Sequence, residues 1–299
     1  MKLLVTGAGG MLGRAVIDAA ARLGHDVYAA TRAQLDVTEP EAVRRLFAEQ
    51  RPKAVVNCAA YTDVDGAESH RAAALAVNGT GAGNVAAAAA EIGAQIVHVS
   101  TDYVFDGAAR EPWLESDPVR PLGAYGETKL AGEREVAAAN PRHAIVRTAW
   151  LFGAGGRNFV DTMLVLGAER DEVSVVTDQV GCPTWTGHLA GALVELAERP
   201  DETGIHHIAG AGSCSWNELA LEVFDRAGID CRVLPTTSAA FPRAAPRPAY
   251  SVLGTERADP LTLPPWERGV ADYLRRGVDE RRSEAGAASP RAKRSGAVS

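Results

Sequence analysis

Leu3-Leu4-Val5-Thr6-Gly7-Ala8-Gly9-Gly10-Met11-Leu12-Gly13, almost at the start of the chain, decides the fold. A short apolar run of strand length ends in a cluster of glycines and passes at once into a helical pattern over residues 12–23. Gly7, Gly10 and Gly13 are spaced as Gly-x-x-Gly-x-x-Gly; the Gly-x-Gly-x-x-Gly form starting at Gly7 fails because Leu12 occupies its last glycine position. Glycine permits a tight turn and close approach of the backbone, and the N-terminus of the following helix offers free N–H groups and a positive dipole end to a pyrophosphate. Strand, turn and helix in this order predict a dinucleotide site.

Outward from that turn the pattern repeats. Strand-like runs at 3–6, 26–30, 54–58, 95–100 and 144–148 alternate with helix-like segments at 12–23, 40–49, 72–91 and 125–139. This predicts an α/β fold, a doubly wound parallel sheet (Rossmann-like) with its ligand crevice at the carboxyl ends of the strands. Beyond residue 155 come a helix-like 159–169, a strand-like 173–177, helix-like 187–198 and 216–227, and a proline-rich stretch over 235–265. The expected organisation is a dinucleotide-binding domain over 1–154, a smaller, mixed C-terminal substrate-binding domain over 155–280 with segments returning to the first domain, and a disordered basic tail over 281–299.

The 299 residues include 31 basic and 38 acidic side chains, a net charge of −7, with 46% hydrophobic and 23% charged residues, which is ordinary for a globular protein. The tail carries Arg281, Arg282, Arg291, Lys293 and Arg294 against Glu284 alone. The body is therefore more acidic than the whole and is not expected to bind nucleic acid. No run approaches the ~18 apolar residues of a membrane span, and the N-terminus turns glycine-rich too soon for a secretory signal, so a cytoplasmic protein without membrane contact is expected. Cys58, Cys182, Cys214 and Cys231 form no pair at metal-ligand spacing, and Cys58 reads as a small core residue. No metal is expected.

Three places carry chemistry. At the end of the second strand, where an acidic residue would hold the ribose of NAD, stand Thr31 and Arg32; an arginine there suits a 2′-phosphate and favours NADPH over NADH, a solvated surface arginine being the alternative. Tyr125 and Lys129 lie at i and i+4 on one helical face, where a cation can stabilise the phenolate of a tyrosine whose ordinary pKa of about 10 makes it a poor acid-base catalyst at neutral pH. The fourth strand ends in Ser100-Thr101-Asp102-Tyr103-Val104-Phe105, which brings hydroxyls to the crevice. Thr101 is the candidate partner of a substrate carbonyl, with Ser100 as the neighbouring alternative.

With these pieces the chain resembles the extended short-chain dehydrogenase/reductase superfamily and, within it, the dTDP-4-dehydrorhamnose reductases. The resemblance runs through residues 6–13, Leu35-Asp36-Val37-Thr38, the 56–62 run Val-Asn-Cys-Ala-Ala-Tyr-Thr, residues 100–107, Tyr125 to Lys129, Arg147-Thr148-Ala149-Trp150, residues 178–184 and Arg247-Pro248-Ala249-Tyr250-Ser251-Val252-Leu253. It implies Gly7, Gly10, Met11 and Leu12 at the pyrophosphate, Asp36 and Val37 beside adenine, Ala59, Ala60 and Tyr61 along the cofactor, and Lys129 at the nicotinamide ribose. Thr101, Tyr125 and Lys129 would form the catalytic set, with Asp102, Phe105, Trp150 and Asn158 on the substrate side; for Phe105 and Trp150 a core role is the alternative. The implied reaction is NADPH-dependent reduction of the 4-keto group of a dTDP-sugar, dTDP-4-dehydro-L-rhamnose giving dTDP-L-rhamnose. Other dTDP-4-keto-6-deoxysugars, including the dihydrostreptose type, and a non-catalytic NADP-binding regulatory subunit are the alternatives. A dehydratase of the superfamily would carry Glu where Tyr103 stands. The oligomeric state stays open, a homodimer being compatible.

Overall fold

The computed structural model describes residues 1–287, with side chains to residue 277. Among the described residues twelve strands follow in chain order: β1 (Lys2–Thr6), β2 (Asp26–Ala30), β3 (Ala54–Asn57), β4 (Gln95–Thr101), β5 (His143–Thr148), β6 (Leu151–Phe152), β7 (Glu172–Val176), β8 (Val180–Gly181), β9 (Thr184–Trp185), β10 (Gly204–His207), β11 (Cys214–Ser215) and β12 (Arg232–Thr236). Between and after them run α1 (Met11–Arg22), α2 (Pro40–Gln50), α3 (Val64–Ser69), α4 (Arg71–Leu75), α5 (Ala82–Glu91), α6 (Ala124–Ala139), α7 (Phe159–Glu169), α8 (Thr186–Ala197), α9 (Trp216–Ala227) and α10 (Trp266–Ala287).

Six strands form one parallel sheet in the order β10-β5-β4-β3-β1-β2. Side chains alternate across a strand, so each strand serves two cores. Leu3, Val5, Val56, Val97 and Val146 pack against Val16 of α1 and Leu189 and Leu193 of α8. From the same strands Leu4, Val55, Ile96 and Ile145 face the other way, onto Val43 and Phe47 of α2, Val85 and Ala89 of α5 and Val136 of α6. Each fully buried aliphatic side chain contributes roughly 1.5–3 kcal/mol, which is why runs apolar on both faces read as interior parallel strands. A third core joins Val160 and Met163 of α7, Val173 and Val175 of β7, Leu219, Val223 and Phe224 of α9, and Trp266 and Val270 of α10. No helix among the described residues is long and apolar enough to cross a membrane.

Three features depart from the sequence expectation. The single helix expected over 72–91 is broken into α4, a π-helical turn at Ala76–Gly81, and α5. Inside that turn the buried Asn78 takes the Tyr61 N–H on Oδ1 at 2.8 Å and donates from Nδ2 to the Tyr61 carbonyl at 3.1 Å. Gly79 and Gly81 give the backbone room for the wider turn. A strand not expected from the sequence, β12, runs into the start of the proline-rich stretch at Pro235 and pairs in parallel with β7. Finally, α10 continues to Ala287, so the first part of the tail expected to be disordered, 281–287, is helical; its arginine, glutamate and alanine favour helix. Residues 288–299 lie outside the described residues.

Candidate active site

The glycines do what the turn requires. Gly7 has φ of 64°, and a Cβ there would stand 2.6 Å from the backbone of Cys58 and Ala59; a Cβ on Gly13 would stand 2.3 Å from the Gly7 carbonyl oxygen. Gly10 is the N-cap of α1 and offers no side-chain cap, so N–H groups of the first helical turn are left to a ligand. Leu12 is buried in the core and Met11 half-buried, so backbone is what this stretch presents to an anion. A cavity of about 500 Å³ opens here, lined by Ala8, Gly9 and Met11 together with Thr31 and Gly155. The bare, uncapped turn fits the pyrophosphate of a dinucleotide. Below it, Thr6 Oγ1 donates to Asn57 Oδ1 at 2.6 Å, and Asn57 Nδ2 donates to His98 Nδ1 at 3.0 Å, tying the ends of β1 and β3 to the middle of β4. Burial holds His98 well below the usual histidine range and therefore neutral, as that acceptor role needs.

Arg32 is exposed beyond the end of β2, open to a phosphate. The Asp36 carboxylate is occupied by Thr38, whose N–H and hydroxyl donate to Oδ1 at 3.0 and 2.7 Å and hold its pKa down. The Val37 side chain is buried close to Gly81, where a Cβ would lie 2.8 Å from its Cγ2. Ala59, Ala60 and Tyr61 are half-buried along the loop that leaves β3.

Tyr125 stands in the first turn of α6, whose Ala124 N–H donates to Glu68 at 2.8 Å. One turn on, Lys129 is 2% exposed and donates from Nζ to the Val99 carbonyl of β4 at 2.7 Å. Burial pulls the Lys129 pKa down to about 8 against the opposing charge of Glu133. Tyr125 is pushed up to about 12, chiefly by burial and then by the Asp102 charge, while a hydrogen bond with Thr101 works the other way. The Thr101 hydroxyl donates to Asp102 Oδ1 at 3.0 Å and accepts from the Tyr103 N–H at 3.2 Å. Ser100, the alternative hydroxyl, is committed elsewhere: it donates to Glu133 Oε1 at 2.5 Å. Thr101, Tyr125 and Lys129 are thus brought together at the carboxyl end of β4.

The expected substrate neighbours divide. Asp102 lies beside Thr101, and burial lifts its carboxyl to about 6. Phe105 presents nothing to a ligand: it is fully buried, stacked on Trp113 with ring centroids 4.6 Å apart, and its side chain packs the core. Asn158 is likewise corrected to a structural role, because Oδ1 caps α7 through the Asp161 N–H at 2.9 Å and Nδ2 donates to the Gly153 carbonyl at 3.0 Å and Asp161 Oδ2 at 2.7 Å. Trp150 is half-buried with φ of 46° and stacks flat on Trp216, centroids 3.6 Å apart. Asn78, Trp216 and Glu133 are given no role in the sequence reading, and Arg247 stands there only as part of the resemblance. Asn78 and Trp216 carry no signal in a single sequence. Arg247 reaches Asp65 through two hydrogen bonds of 3.0 and 2.9 Å and anchors the segment whose Pro246 and Pro248 flank Tyr125. Glu133 did leave a signal, since it continues the four-residue spacing of Tyr125 and Lys129.

A doubly wound sheet with a bare glycine turn on one side of its crevice and a Thr-Tyr-Lys set on the other defines an NAD(P)H-dependent oxidoreductase of the extended short-chain dehydrogenase/reductase type. The sequence pattern of the RmlD substrate binding domain matches residues 1–278, and the chain belongs to that family. It is 46% identical over 279 residues to a dTDP-4-dehydrorhamnose reductase of Mycolicibacterium smegmatis, covering 91% of this chain and 85% of that protein. With a probable dTDP-4,6-dihydroxy-2-methyloxan-3-one 4-ketoreductase of Streptomyces antibioticus it shares 49% identity over 86% of this chain and 88% of the relative. The crystal structure of a Bacillus anthracis dTDP-4-dehydrorhamnose reductase in complex with NADP superposes with a TM-score of 0.89 at 38% identity, covering 92% of this chain and 99% of that one.

Proposed function

We propose that this chain uses NADPH to reduce the 4-keto group of a dTDP-4-keto-6-deoxysugar, with dTDP-4-dehydro-L-rhamnose as substrate and dTDP-L-rhamnose as product, in the cytoplasm. The observation that carries the reading is the convergence of Thr101, Tyr125 and Lys129 beside an uncapped glycine turn, in a chain that shares its family with reductases of such sugars.

The nicotinamide, when bound, supplies the hydride that adds to C4. Gly7, Gly10, Met11 and Leu12 hold the pyrophosphate through backbone N–H groups, and Arg32 takes the 2′-phosphate. Val37, Ala59, Ala60 and Tyr61 line the way, while Asp36, held by Thr38, shapes the loop around the adenine. With the sugar bound, Thr101 turns its hydroxyl proton from Asp102 Oδ1, to which it otherwise donates at 3.0 Å, to the C4 oxygen and places that oxygen against Tyr125. As negative charge grows on that oxygen, the Tyr125 phenol gives up its proton, forming the new O–H bond and leaving a phenolate. Lys129, fixed on the Val99 carbonyl, contacts the ribose and stabilises that phenolate. Asp102 and Trp150 border the sugar.

A second dTDP-ketosugar substrate is favoured by one observation, the 45% identity of this chain to a Streptomyces niveus relative named dTDP-4-keto-6-deoxy-D-glucose reductase. Incubating the protein with NADPH and, separately, dTDP-4-dehydro-L-rhamnose and dTDP-4-keto-6-deoxy-D-glucose separates the two. Loss of NADPH absorbance with dTDP-L-rhamnose identified by NMR is the expected result. Turnover of the D-glucose derivative alone would move the assignment to the second reading, and tight NADPH binding without turnover of either would point to a regulatory subunit.

A further inference from the structure

α6 carries a third functional group on the stripe that holds Tyr125 and Lys129. Glu133 follows Lys129 by one turn, on the same face. It is 4% exposed, and two strands meet on its carboxylate. Ser100 of β4 donates to Oε1 at 2.5 Å, and Arg147 of β5 donates through Nε to Oε1 at 3.0 Å and through Nη2 to Oε2 at 2.8 Å. Ser100 and Arg147 are register partners, one step before the Thr101–Thr148 pair. Lys129 meanwhile holds the Val99 carbonyl. Three successive residues of β4 are therefore read by one face of α6: Val99 by Lys129, Ser100 by Glu133, and Thr101 by Tyr125.

Packing alone does not call for this. Apolar side chains at 100, 133 and 147 would join the helix to the sheet without the desolvation of a buried ion pair, which is weak evidence for stability. The charges around Lys129 suggest what the pair is for. The groups that act on the ammonium are Glu133 from its own helix, Cys58 just past β3 and His98 from β4; Arg147 faces Glu133 from β5, with His207 Nε2 at 3.5 Å from its Nη1. His98 and Cys58 are both held neutral by burial, the thiol being pushed up to about 12. Glu133 is left as the counter-charge.

We propose that Glu133, held in place by Arg147 and Ser100, is a positioning residue that keeps Lys129 an ammonium and the Thr101 hydroxyl level with Tyr125. Its effect on turnover rests on the proposed reductase activity; its hold on Lys129 does not.

The chain has only Lys2, Lys53, Lys129 and Lys293, so NMR titration of the full-length protein with isotope-labelled lysine side chains resolves Lys129, assigned with Lys129→Arg. In the double variant Glu133→Gln/Arg147→Gln, which replaces the ion pair with two amides, the Lys129 midpoint is expected to fall by about one pH unit, and the alkaline limb of the kcat profile with it. An unchanged midpoint in the folded double variant overturns the proposal. Ser100→Ala keeps the ion pair and cuts only the tie to β4, so it carries the test if the double variant does not fold. There kcat is expected to fall about tenfold with KM within about threefold, and an unchanged kcat overturns the proposal. If the unaltered protein turns over neither ketosugar, the functional reading fails by itself, and the Lys129 titration still decides the role of Glu133.

Discussion

Asp102 is a carboxylic acid kept from water, 2% exposed, and its protonation is tied to the stability of the chain. Burial raises its pKa from 3.8 to about 6, against the Ser251 and Thr101 hydroxyls that favour the charged form. The folded state therefore retains a proton that the unfolded chain releases, and stability is lost as pH rises from about 4 through about 6. At about 1.4 kcal/mol per pH unit, the Asp102→Asn variant is expected to be more stable than the parent at pH 8 by up to roughly 3 kcal/mol, an advantage that vanishes near pH 4. Urea titrations at the two pH values check it; equal differences at both would show that the carboxyl is not the source. Tyr125 and Lys129 were legible as a pair because a helix turns i and i+4 onto one face, and Thr101 because a strand end opens on the crevice. Phe105 and Asn158 were misplaced because what decides them, Trp113 in one case and Gly153 with Asp161 in the other, is spatial. A polar or aromatic residue near a crevice looks the same in sequence whether it faces a ligand or the protein.

At the scale of elements, the loop that carries Trp150 between β5 and β6 is held in a conformation that a non-glycine residue adopts at an energetic cost of order 1–3 kcal/mol. Trp216, at the start of α9, covers the Trp150 indole and is itself fixed by donating from Nε1 to Gln179 Oε1 at 3.1 Å. Removing that cover in Trp216→Ala is expected to release the loop and raise KM for the sugar nucleotide about tenfold, with kcat changed less than about threefold. Steady-state kinetics decide this, and a fall in kcat at constant KM would contradict it. The π-helical turn between α4 and α5 shows why an element can be legible in kind but not in detail. The alanine-rich run announces helix, yet its interruption is set by one asparagine binding the Tyr61 backbone and by α6 approaching so closely that a Cβ on Gly132 would sit 2.0 Å from the Asn78 carbonyl oxygen.

For the whole molecule, the two-sided core of the parallel sheet was readable from β1 to β5, since each of those strands is an apolar run bounded by turn residues. β10 was not, because Gly204-Ile205-His206-His207 looks like surface; the sheet buries both histidines by pairing the strand with β5. That choice has a price at low pH. Burial lowers the pKa of His98, His206 and His207, to about 4 for His206, so between about pH 6.5 and 4 the unfolded chain takes up protons that the folded one refuses. Stability is expected to fall on acidification through that window, partly offset by Asp102, and thermal unfolding at pH 7 and pH 5 should show a lower Tm at pH 5. A higher Tm there would mean that the histidines are solvated. The proposed delivery of the proton by Tyr125 as hydride reaches C4 is decided by a single turnover of NADPH with dTDP-4-dehydro-L-rhamnose, run with the unaltered protein and with Tyr125→Phe. The variant is expected to bind NADPH as the parent does but to transfer hydride slower by about 10²- to 10⁴-fold; transfer within about threefold of the parent would rule that role out.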